Sequence, residues 1–172
     1  MVSSHKTNRL SVKEMALFAM LGSLMFSSKI IMEVLPNIHL LGMLTMVYTL
    51  VFRKKALLPI YIYVMLNGVY AGFSTWWIPY LYIWTILWAV TMILPQNMPK
   101  KAAIIVYPIV CSLHGLAFGT LYAPVQSLMF GLSFEQTIAW IIAGLPWDVI
   151  HCIGNLAAGL LIVPFSKLLR KL

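Results

Sequence analysis

AGLPWDVIHCIGNLAAG, residues 143–159, sets an Asp, a His and an Asn inside an otherwise apolar run. Proline favours the first turn of a helix, so Pro146 is expected to start one. Its free N–H groups would then face the end from which the helix enters the membrane. From Asp148, the residues His151, Cys152, Asn155 and Gly159 follow at helical spacing and share one stripe. Polar side chains inside an apolar helix are costly and face either a cavity or a neighbouring helix. The stripe, with Trp147 beside it, therefore reads as part of a binding site or as an interhelical hydrogen-bond seam.

The surrounding composition decides between water and membrane. Of 172 residues, 62% are hydrophobic and only 9% charged, and mean hydropathy is +0.92. Such a chain is an integral membrane protein, expected to form a single all-α domain over 1–172. A net charge of +8 would suit a nucleic-acid partner only if the basic residues shared one soluble face. Instead, eleven of the twelve fall at alternate ends of the apolar runs: Lys6, Arg9 and Lys13; Arg53, Lys54 and Lys55; Lys100 and Lys101; Lys167, Arg170 and Lys171. Basic residues are retained in cytoplasmic loops. The alternation predicts six transmembrane helices with both termini cytoplasmic, an N-terminal tail over 1–11 and a basic tail over 167–172. No nucleic acid is expected as a partner.

The first span is expected over Val12–Glu33, with Ser11 and Glu14 at capping-box spacing. Ala16, Ala19, Gly22 and Ser23 make one flank small enough for close approach of another helix, either within the chain or from a partner subunit. Lys29 and Glu33 stand four apart and form a natural ion pair. Pro36 and Asn37 then force a turn that carries His39 to the outer end. A short second span, Leu40–Phe52, and a third, Ala56–Gly72, follow. In the third, Tyr63, Asn67 and Tyr70 are spaced to face one cavity.

Phe73–Leu94 packs Trp76, Trp77, Tyr80, Tyr82, Trp84 and Trp88 into thirteen residues. An interfacial aromatic belt accounts for some of them; stacking on a flat ligand accounts for such density on one segment. The fifth span, Ala102–Leu121, buries His114, which needs a partner. Tyr122–Gly144 reads as a long outward connection, with Ser133 and Gln136 marking the start of a helical piece too short to span. The sixth span runs from Pro146 to the tail at Lys167.

Cys111 and Cys152 lie in apolar segments without disulfide or metal-ligand spacing, so neither metal nor cofactor is expected. H-E-x-x-H, G-x-S-x-G, Walker A and G-x-G-x-x-G are all absent from the sequence, and no nucleophile stands beside Asp148 and His151. The chain is not expected to be an enzyme.

Taken together, the length, the six spans, the small-residue first helix, the PNIHLLG loop and the GLPWDVIHCIGNLAAGLL segment with its basic tail resemble the substrate-binding S components of energy-coupling factor (ECF) transporters. The resemblance implies a bacterial plasma-membrane protein that captures a small water-soluble vitamin or micronutrient on the outer side. It also implies three partners: a transmembrane coupling subunit, docking on Ala16, Ala19, Gly22 and Ser23, and two cytoplasmic ATPase subunits. Family members carry A-x-x-x-A on the first helix; here the nearest match is Ala19 and Ser23. The substrate contacts expected are Lys29, His39, Asn67, Tyr70, Trp76, Trp77, Tyr80, Trp84, His114, Trp147, Asp148, His151 and Asn155. A standalone transporter or channel, or a structural membrane protein, would share the composition.

Overall fold

A computed structural model describes residues 10–171; Lys6, Arg9 and the rest of the first nine residues lie outside it, as does Leu172. The described residues form eight α-helices and no strand: α1 Val12–Ile31, α2 Leu41–Phe52, α3 Leu57–Ala71, α4 Tyr80–Ile93, α5 Lys100–Leu116, α6 Phe118–Phe130, α7 Phe134–Gly159 and α8 Ile162–Leu169. Four stretches are long and apolar enough to cross a membrane: Val12–Val34, Thr75–Ile93, Lys100–Phe130 and Phe134–Gly159. The chain is thus compatible with a multi-pass membrane protein. Of the other two expected spans, α2 and α3 have only 12 and 15 residues.

Helix α1 begins where its cap is written. Ser11 Oγ accepts the Glu14 N–H at 3.2 Å, and the Glu14 carboxylate accepts the Ser11 N–H at 2.9 Å. Glu14 also pairs with Lys55, tying the start of α1 to the basic turn after α2. Gly22 lets α1 lie on α3: a Cβ there would stand 2.6 Å from Ile62 Cγ2 and 2.9 Å from the Pro59 carbonyl oxygen. Ala16, Ala19 and Ser23 stay exposed on the opposite flank.

At the centre is α2, buried over every residue from Leu41 to Leu50. Helices α1, α4, α5, α7 and α8 surround it. The aromatic run works mainly as staples between elements. Trp77 Nε1 donates to the Val64 carbonyl at 2.8 Å and Trp88 Nε1 to the Arg53 carbonyl at 3.1 Å. Tyr61, Tyr82 and Tyr122 hydroxyls donate to the carbonyls of Leu81, Leu121 and Trp76.

The segment before the polar stripe departs from expectation. Tyr122–Gly144 is not a long connection: α6 runs on to Phe130, and only Gly131–Ser133 link it to α7. The capping box of Ser133 and Gln136 does start a helix, but that helix continues without interruption through Pro146 to Gly159. Pro146 is therefore an interior residue and exposes no helix N-terminus. A membrane helix tolerates the lost hydrogen bond because the rest of its backbone remains paired within the segment; Pro108 and Pro124 sit inside α5 and α6 in the same way.

Candidate functional site

Helix α7 presents its polar stripe inward. Its buried residues are Asp148, His151, Asn155, Ala158 and Gly159, while Trp147, Val149, Ile153 and Leu156 on its other faces are exposed. The inversion suits a helix whose surroundings are lipid and whose interior is protein.

The stripe divides into a structural and an open part. Asp148 accepts the N–H of Gly119 with both carboxylate oxygens, at 3.0 and 3.1 Å. Gly119 lies in the first turn of α6, where N–H groups have no intrahelical partner, so Asp148 caps that helix. Asn155 Nδ2 donates to the Cys111 carbonyl on α5 at 3.1 Å. Ser112 Oγ likewise donates to the Cys152 carbonyl at 3.1 Å. These bonds form the seam between α5 and α7, the most extensively packed pair in the bundle.

His151 belongs to the open part. Its ring lies 4.5 Å, centroid to centroid, from that of His39 and 4.9 Å from that of Phe118. Trp84, 1% exposed, is the hub of the cluster, with the rings of His39, Tyr63, Tyr80, His114 and Phe118 5.8 to 6.1 Å away. Ring pairs at such separations each stabilise by about 1 kcal/mol beyond area burial. His114 Nε2 donates to the Ile83 carbonyl at 3.1 Å, which leaves Nδ1 as an acceptor.

Beside this cluster is a cavity of about 180 Å³, lined by Lys29, Glu33, the loop from Leu35 to His39, Tyr80, Phe118 and His151. Lys29 Nζ and Glu33 Oε1 pair at 3.0 Å on its wall. Asn37 turns the loop with φ 57°, a backbone region that Asn tolerates better than most residues. Its Nδ2 donates to the Trp147 carbonyl at 3.4 Å. Burial holds the His39 imidazole down to about 4, so it is uncharged at neutral pH.

The polar atoms around this cluster are unusually unpaired. His39 Nδ1, His114 Nδ1, His151 Nε2 and Trp84 Nε1 are buried without a hydrogen-bond partner, as are the Tyr63 hydroxyl and Asn67 Oδ1 on α3. Buried polar atoms are nearly always satisfied, each orphan costing about 1–3 kcal/mol. Several on one cluster mark it as a candidate binding site.

Of the expected contacts, Lys29, His39, Tyr80 and His151 line the cavity. Trp84 and His114 support it from behind, and Trp76 packs on Tyr80 at 5.6 Å. Asn67 is buried one helical turn from Tyr63, which touches Trp84. Five expected contacts are placed elsewhere. Tyr70 is 60% exposed and packs on Phe26. Trp147 is 53% exposed and contributes only its carbonyl. Trp77 is committed to the Val64 carbonyl. Asp148 and Asn155 are engaged with Gly119 and Cys111. Tyr63, expected to face a cavity with Asn67, packs on Trp84, whereas Phe118 is not among the expected contacts; His114, Phe118 and Tyr122 recur every fourth residue, a pattern visible once the helical reading extends past Leu121.

No family model, curated protein or solved structure matches the chain. Among the described residues, no three His, Cys, Asp or Glu side chains are grouped to hold a metal ion.

Proposed function

We propose that the chain is a membrane-embedded solute-binding subunit of the ECF S-component type, with six spans and both termini cytoplasmic. It captures a small, ring-bearing, water-soluble nutrient on the outer side of a bacterial plasma membrane and hands it on with a coupling subunit and two ATPases. The observation that carries this reading is the set of unpaired buried nitrogens on His39, His114, His151 and Trp84 beside a cavity walled by Tyr80 and Phe118. A ring between these aromatics buries apolar area while its edge atoms satisfy the imidazoles. The Lys29–Glu33 pair adds one charge of each sign at the wall. Ala16, Ala19 and Ser23 offer the close-packing flank a coupling subunit requires.

Tryptophan fluorescence of the purified chain, titrated with B vitamins, nucleobases and related heterocycles, tests capture. Saturable quenching by one of them, lost in His151→Leu that still folds, is expected. Silence across the panel from folded protein overturns it. Copurification of a tagged chain with two ATPases tests the transport assignment separately. Uptake into liposomes by the chain alone, without ATP, would instead identify a standalone transporter.

A further inference from the structure

A second cavity, of about 130 Å³, opens at the opposite end of α2, where the basic residues gather. Gln96, Lys100, Tyr107, Ser166, Lys167 and Arg170 supply its polar wall. The three cations come from two separate regions, Lys100 at the start of α5 and Lys167 and Arg170 at the end of α8, and no acidic side chain among the described residues lines the space with them. Arg170 is fixed in place: its Nη2 donates to the Leu50 carbonyl at 3.3 Å.

Two further observations separate this from a solvated basic surface. Ser166 is 7% exposed, lines the cavity, and its Oγ is buried with no hydrogen-bond partner. Helix α5 starts here behind Pro99, which supplies no side-chain cap to the first-turn N–H groups. A buried hydroxyl and three cations beside the start of α5 make up a phosphate-binding donor set.

We propose that this cavity binds a phosphate group. Its volume admits one such group, and its position on the bundle surface leaves two sources open, the headgroup of an anionic phospholipid or phosphate free in solution. A basic pocket between membrane helices beside a short basic helix is where anionic headgroups are held. The inference is independent of the solute site, which lies at the other end of the bundle.

Native mass spectrometry of the full chain in neutral detergent, with phosphatidylglycerol or phosphatidylcholine added, reads the lipid arm; thermal unfolding with inorganic phosphate against chloride at matched ionic strength reads the free-phosphate arm. Retention of phosphatidylglycerol over phosphatidylcholine, weakened on the order of tenfold in Lys100→Ala/Lys167→Ala and weakened also in Ser166→Ala, is the result expected for a headgroup. Stabilisation by inorganic phosphate that the same variants lose identifies the free anion. Lys54→Ala/Lys101→Ala removes as much charge from the same end without touching the cavity wall. If this control weakens binding as much as the lining pair does, or if neither probe is preferred, the site does not exist.

Discussion

Asp148 on α7 and Gly119 on α6 are joined by a bifurcated hydrogen bond, and there is room for no side chain at Gly119: a Cβ would stand 2.4 Å from Asp148 Oδ2. Gly119→Ala must therefore turn the carboxylate away and uncap α6. Each of Gly119→Ala and Asp148→Ala is expected to cost about 1 kcal/mol, measured by denaturation in detergent. The double variant should cost little more than Asp148→Ala, because both remove the same bond. Additive losses would show that the cap is not the shared cause.

The seam between α5 and α7 depends on close backbone approach. A Cβ at Gly159 would lie 2.6 Å from Pro108 Cα, and one at Gly115 would lie 2.9 Å from the His151 carbonyl oxygen. Neither neighbour is a flexible side-chain end. Gly159→Ala should destabilise by roughly 1–3 kcal/mol through overpacking, whereas Gly144→Ala, with nothing within 4 Å, should be neutral or slightly stabilising. Equal melting of the two variants would contradict the packing described.

Trp84 is the tryptophan whose ring packs on His39, which places it to report on the proposed solute site. Trp84→Phe should remove most of the ligand-induced fluorescence change, while Trp147→Phe and Tyr70→Ala should leave both the change and the affinity intact. A titration of the three variants side by side checks this; a dominant signal from Trp147 would relocate the site.

The half-buried His39 gives stability a pH dependence of known sign. Its folded-state value near 4 lies below the ordinary 6.5, so between those values the unfolded chain holds more protons. The stabilisation is complete above about pH 6.5 and is lost as pH falls toward 4, by up to about 3 kcal/mol. His151, His114 and Lys29 face the same ring and Glu33 pairs with Lys29, so His39→Gln should flatten the acid limb of the melting curve in part. An unchanged limb would mean that His39 does not carry it.

On α1, inward and outward small residues should behave differently. Gly22→Leu collides with Ile62 and is expected to impair folding, whereas Ala19→Leu with Ser23→Leu keeps the fold and prevents copurification of a coupling subunit. Retained copurification with both leucines in place would remove this flank as the docking surface.

Much of the bundle is legible in local signals. The caps at Ser11 and Ser133, the turn at Pro36 and Asn37, the Lys29–Glu33 pair and the inward stripe of α7 all follow from spacing that a short window contains. Pro146 does not start a helix because the preference of proline for a first turn rests on its missing N–H, and the capping box at Ser133 had already begun the helix at Phe134, twelve residues earlier. The split of the stripe could not be read at all. Whether Asp148 meets a ligand or an N–H depends on Gly119, twenty-nine residues away, and on α6 being a helix rather than a loop. Likewise, the aromatic run gave no hint that Trp77 and Trp88 end on carbonyls while Trp84 ends on nothing.

The shortness of α2 has a mechanical consequence. Twelve residues rise about 18 Å, so the cavity at His39, just before α2, and the basic cavity at Leu50, near its end, are held apart by one stiff rod that is little more than half a hydrocarbon core in length. Being enclosed on all sides, the rod has no soft lipid flank to absorb movement. Its fixed length therefore sets the distance between the two cavities.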